Sequence, residues 1–350
     1  MDSHTKIKNI LNIPYDRKDW FRWYGITERR KDSLLEGRSH PNSFFNPGSE
    51  STLTLFMLGN IDGWHQHDNH LGPPRDDSSR WDPSFFKEMV RHSKNKEDLI
   101  EKDLNRSRAE LLDVLDIKRD DGENSILLFE FELYNDGIDI CSEWSKKDIS
   151  FLDLEDIGRW IRYDAVMIFP YVERLIFFES KLGSDLSYNT QNYQYLNQLI
   201  KGLESAHLLT EKEESPFSDW DFNYVLICPK ILDDYSLTRY NKETDNIGKA
   251  IVEYNDLLNG KYSDSINDDC YPKYFGSFVK RAPERIRKIY WEDLANALLK
   301  ENRDFFYDYF ERLENMEFDQ KHLKVIRQKF SEAGIRFSLT DKYKPEDIDR

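Results

Sequence analysis

Cysteine is scarce in this 350-residue chain: Cys141, Cys228 and Cys270 stand far apart and form no CxxC pair. That spacing argues against a structural zinc site or a disulfide framework and suits a reducing, cytoplasmic setting. No run approaches the roughly 18 apolar residues that a bilayer-spanning helix needs. The first residues, MDSHTKIKNILNIPYDRKDW, are polar and lack the continuous apolar stretch of a signal peptide. Phosphate loops of the GxxxxGKS/T or GxGxxG type are absent, which disfavours nucleotide hydrolysis and dinucleotide binding, and no GxSxG elbow occurs. Positive charge is in deficit. The 50 Lys and Arg face 66 Asp and Glu, a formal net charge of −16, which argues against indiscriminate coating of nucleic acid.

What remains is a globular composition: 39% hydrophobic, 33% charged and 14% aromatic residues, enough to fold as one large domain with elaborations or as two domains. Basic residues cluster at Arg17–Lys31, interleaved with Trp20, Phe21, Trp23 and Tyr24, and at Lys280–Lys288. Each cluster is either a solvated surface or a local groove for an anionic partner. Residues 1–85 form an aromatic-rich, irregular N-terminal region, a candidate recognition element, with one strand expected at Thr52–Leu58. A helical stretch follows from Pro83 to Leu115. Strands are expected at Ser125–Leu133, continued by a hairpin through Asn135-Asp136-Gly137, and at Asn223–Cys228 and Lys288–Trp291. Asp148–Ile161 is a short helix or connector, and a helix is expected over Thr190–Leu209. A charged, turn-rich insertion fills 230–280 of a core running from 86 to 300, and 301–350 is a helical extension with a frayed tail.

The segment Arg162–Leu182, RYDAVMIFPYVERLIFFESKL, has two apolar strands joined by a turn near Pro170–Arg174. Charge inside apolar strands costs free energy, so Asp164, Glu179 and Lys181 need a reason. Alternation turns Glu179 and Lys181 to one face, and Asp164 on the preceding strand can sit opposite them. Mg²⁺ (or Mn²⁺) prefers such oxygens, and Asp164, Glu179 and the Ser180 backbone carbonyl make a plausible set of ligands. Lys181 beside the ion would orient a water or stabilise charge on a phosphate.

Asp164 with Glu179-Ser180-Lys181 resembles the PD-(D/E)XK nuclease superfamily, with Tyr163 in place of the proline of that motif. The following segment resembles the helix that some members place behind the ExK strand, with Asn197, Gln198 and then Lys201. Gln191, Gln194, Gln198 and Lys201 fall on one polar face of it. The resemblance implies an α/β fold with a restriction-endonuclease-like αβββαβ core and a mixed central sheet. The order of elements from 85 to 228 independently gives a mixed α/β core, with strands joined by turns antiparallel and the strand after the long helix returning parallel. The resemblance also implies a metal-dependent nuclease, restriction- or defence-associated, with DNA the expected substrate over RNA and no membrane partner. Asp164, Glu179, Lys181 and Gln198 would be catalytic, and Ser184, Gln191, Asn197 and Lys201 would contact substrate. A further carboxylate on the helix before the sheet is implied, and Glu101 and Glu110 are the candidates. A homodimer or partner subunit would serve the cutting of two strands, with the C-terminal helices supplying the surface.

Three other readings stand beside it. Glu179 and Lys181 could pair as a structural ion pair at a sheet edge, worth about 0–1 kcal/mol if exposed. The chain could bind nucleic acid, or another partner, without cutting. His65, His67 and His70, with Asp68, form the densest set of metal-ligand residue types in the chain, suited to Zn²⁺ or Mn²⁺. They resemble the HxHxDH motif of metallo-β-lactamase-fold hydrolases, except that Asn69 stands where that motif has Asp.

Overall fold

The strands are built from the aromatic and branched residues that suit a pleated surface. β1 (Ile126–Tyr134), β2 (Trp160–Phe169), β3 (Arg174–Ser180), β4 (Asp221–Cys228) and β5 (Ile286–Tyr290) form one open sheet in chain order. β1, β2 and β3 pair antiparallel, and β4 and β5 add parallel to β3. The chain is therefore α/β with a mixed five-stranded sheet. The computed structural model describes residues 50–63, 99–122, 125–134, 160–182, 198–211, 217, 219–253, 270–314 and 321–339.

From β2 onward the connections account for the strand directions. Phe169↔Arg174 closes the β2–β3 hairpin around Pro170–Glu173, with Glu173 in the left-handed region at φ 51°. Between β3 and β4 lies α3 (Gln198–Glu211), and between β4 and β5 lie α4 (Lys230–Asp234), α5 (Arg239–Asp245) and α6 (Cys270–Arg285). A crossover of that length returns the chain parallel to the strand it left.

Helices cover the sheet. α1 (Glu50–Ile61) packs on β1, β2 and β3 and meets α2 (Glu101–Leu115) and α7 (Trp291–Ala297), while α3 packs on β2 and β4 and meets α6. β3 and β4 are buried along nearly their whole length, as strands covered on both sides are. α8 (Lys300–Glu314) runs beside α1: the Phe305 ring packs tilted against Phe56 with centroids 5.1 Å apart, and the Asn302 amide donates to Asn60 Oδ1 at 3.2 Å. α9 (Lys321–Glu332) follows it. Gly202 lets α3 approach β4 closely, because a Cβ there would lie 2.5 Å from the Tyr224 ring. The Tyr163 hydroxyl then reaches across to donate to the Gly202 carbonyl at 2.9 Å.

Three sequence expectations change. Thr52–Leu58 is the middle of α1 and not a strand. Leu53, Leu55, Phe56, Met57, Leu58 and Ile61 are all at most 1% exposed, so the helix is buried all round and its sequence shows no helical period. A boundary at 85/86 thus falls between α1 and the sheet on which it packs. The span 230–280 holds α4, α5 and most of α6, where Pro272 and Gly276 give the sequence a turn-rich character. The last strand begins at Ile286 and ends at Tyr290, so Trp291 opens a helix. The helix expected over 83–115 is present as Glu101–Leu115, its earlier part and the turn at Asn135–Gly137 lying outside the described residues. Among the described residues, no helix is long and apolar enough to cross a membrane.

Candidate active site

The β2–β3 ladder pairs residues as far as Ala165↔Phe178. One step further on, a side chain takes over the hydrogen bond. The Ser180 N–H donates to Asp164 Oδ2 at 2.7 Å, so the carboxylate stands where a strand carbonyl would. On its other edge β3 stays paired with β4 through Ser180↔Ile227, and the Lys181 N–H donates to the Ile227 carbonyl at 2.7 Å. The end of β3 is fixed by the sheet on one side and by Asp164 on the other.

Glu179 and Lys181 share a face of β3, as alternation requires. The Lys181 ammonium donates to Glu179 Oε1 at 2.7 Å. Gln198, the first residue of α3, completes the group: its Nε2 donates to Glu179 Oε1 at 2.5 Å, and its Oε1 accepts from Lys181 Nζ at 3.3 Å. Ser180 points the other way and meets α1, where Thr54 Oγ1 lies 2.6 Å from its Oγ. One turn earlier on α1, Glu50 Oε1 accepts the Leu182 N–H at 2.8 Å, and Glu50 Oε2 lies 3.9 Å from Lys181 Nζ.

Three carboxylates therefore share one lysine. Burial, then the charge of Glu179, pushes the Asp164 carboxyl up to about 8, although Lys181 pulls the other way. Burial also raises Glu179; Lys181 opposes the rise and Glu50 adds to it. For Lys181 burial alone would lower the pKa, but Glu179, Glu50 and Asp164 outweigh it and raise it. The ammonium is held as a cation that the three carboxylates share. With Glu179 and Lys181 each only 4% exposed, water offers little compensation.

Asp164, Glu179, Lys181 and Gln198 thus come together. Glu101 and Glu110 do not join them. They lie on α2, where Glu101 is exposed and Glu110 acts on Arg119, and the carboxylate whose field reaches Asp164, Glu179 and Lys181 is Glu50. Sequence reasoning missed it because the run after it read as a strand. Its one visible signal was an acidic residue at the head of an apolar segment. Thr54 and Trp291 were also missed; the Trp291 indole donates to the Lys181 carbonyl at 2.9 Å. Ser184, Gln191, Gln194, Asn197 and the cluster His65–His70 lie outside the described residues, as does the side chain of Lys201 on α3. Among the described residues no ready-made group of three or more His, Cys, Asp or Glu ligands is arranged for a metal ion. No protein-family model, characterised protein or solved structure matches the chain.

Proposed function

We propose that the chain is a divalent-metal-dependent nuclease with a restriction-endonuclease-like core of the PD-(D/E)XK type, hydrolysing DNA. The observation that carries the reading is the gathering of Glu50, Asp164 and Glu179, from three separate elements, round one buried lysine. The element order, in which a helix is followed by three antiparallel strands, a helix and a parallel strand, supports it.

Mg²⁺ (or Mn²⁺) fits the chemistry of these donors. They are hard oxygens, and burial with mutual repulsion holds Asp164 and Glu179 above the ordinary carboxylate range, a repulsion that a divalent ion between them would relieve. Glu50, Asp164 and Glu179, with the Ser180 carbonyl, are the residues to hold it. When bound, such an ion polarises the scissile phosphate and eases ionisation of a water. Lys181, kept charged by its neighbours, stabilises negative charge that develops on the phosphate and is not a proton acceptor. Gln198 holds Glu179 and Lys181 in one mutual orientation. A restriction or defence role, and a homodimer or partner subunit for cutting both strands, belong to the same reading.

The test is incubation of the full chain with single- and double-stranded DNA and RNA, with and without Mg²⁺ or Mn²⁺. Wild type is expected to cut DNA only with the metal. Lys181→Ala, Asp164→Ala and Glu179→Ala should remain folded by circular dichroism and lose about 10²–10³-fold in rate. Cleavage that survives all three substitutions would sink the proposal. Binding by wild type without turnover would assign a nucleic-acid-binding protein of the same architecture instead.

A further inference from the structure

The Lys181–Leu182 peptide lies just past the last β3–β4 pair, Ser180↔Ile227, so the ladder supplies no partner for its two polar groups. Both are nonetheless bonded, and by side chains. Its carbonyl accepts from the Trp291 indole at 2.9 Å, and its N–H donates to Glu50 Oε1 at 2.8 Å. A peptide is a rigid plane with these two groups on opposite edges. Trp291 and Glu50, from helices far apart in sequence, therefore grip one plane from its two sides. The plane also carries the Cα of Lys181, from which the ammonium reaches Glu179.

We propose that Trp291 is a positioning residue of the candidate site, fixing the Lys181–Leu182 plane and through it both Lys181 and Glu50. Indole is a donor only, which suits a buried carbonyl left over by a ladder. Trp291 is 0% exposed and is the first residue of α7, directly after β5. Because β5 pairs with β4 up to Cys228↔Tyr290, the sheet itself delivers the indole to the end of β3. Loss of the donor frees the plane to rotate, which misaligns a carboxylate and a cation at once. The effect on the metal and on the reaction rests on the nuclease reading; the clamp on the peptide does not.

The test compares full-length Trp291→Phe, which keeps a ring and removes the donor, with Phe278→Leu, a core substitution on α6 that controls for general destabilisation. Amide hydrogen exchange should speed up at Leu182 by about tenfold or more in Trp291→Phe and remain near wild type in Phe278→Leu. Calorimetric Mn²⁺ affinity and kcat per folded molecule should each fall about 10–100-fold in Trp291→Phe, with KM within about twofold. Unchanged exchange at Leu182 would overturn the clamp. Loosened exchange with wild-type Mn²⁺ affinity and kcat would overturn its positioning role. If wild type itself neither binds Mn²⁺ nor cuts, the nuclease reading fails, while the exchange result still decides for or against the clamp.

Discussion

Helix α1 carries a carboxylate at each end, and the two sit in opposite kinds of surroundings. At the C-terminal end Asp62, 0% exposed, has a cation of its own: Arg108 of α2 pairs with Oδ1, and the Ser125 hydroxyl lies 3.2 Å from Oδ2. At the N-terminal end Glu50 joins Asp164 and Glu179 around a single ammonium. One carboxylate with one guanidinium is a closed account that ties α1 to α2 and to the start of β1. Three carboxylates gathered round one lysine are held in place by peptide N–H groups and a glutamine, and they share that ammonium. The difference teaches that burial of acid alone does not mark a functional site. What separates the two ends is how many carboxylates converge on one cation.

The largest expected effect lies at the balanced end. Arg108→Met leaves Asp62 as a buried charge without its cation, and urea denaturation should show a loss of about 3–5 kcal/mol. Cleavage per folded molecule should be unchanged; a drop in it would show that the two ends of α1 are coupled.

The sharpest contrast comes from the same change made at both ends. Asp62→Asn weakens a matched pair and should cost about 1–3 kcal/mol. Asp164→Asn relieves a crowded carboxylate and should stabilise the metal-free protein at pH 8 by about 1 kcal/mol, while with Mg²⁺ present it should slow cleavage about 10²–10³-fold. Equal signs in the two thermal shifts would break the comparison.

The smallest effect is in pH. Asp164 and Glu179 titrate above the ordinary carboxylate range when folded, so folding favours their protonated forms. Their stabilising contribution is complete below about pH 4; the part from Asp164 is lost as pH rises through about 8, and the part from Glu179 is lost in the same direction. In EDTA, Tm should fall by a few degrees between about pH 5 and 8. Mg²⁺ should shrink that fall, because a cation replaces the lost protons. Melting curves with identical pH dependence in EDTA and Mg²⁺ would count against a metal at this site.

How much of this was legible depended on distance along the chain. Asp164, Glu179, Lys181 and the turn between their strands lie in one hairpin, and a period of two settles which side chains share a face. Gln198 was visible because it follows on the next helix, in a segment of polar residues at helical spacing. Glu50 was not visible, since α1 is buried on every side and an apolar run without period does not tell helix from strand. α6 was hidden by its prolines, although Pro283 falls in its last turns and did not stop it from forming.

By itself, then, the sequence determined the hairpin, the pairing of Glu179 with Lys181 on one face, and the parallel return of β4 after the helix. These follow from alternation and connection length, which are local. Only the tertiary structure decided that Glu50 is the third carboxylate and that Trp291 holds the Lys181 carbonyl. Both contacts join residues more than a hundred positions apart, and they exist because helices packed on the sheet must satisfy the peptide groups left where its ladder stops.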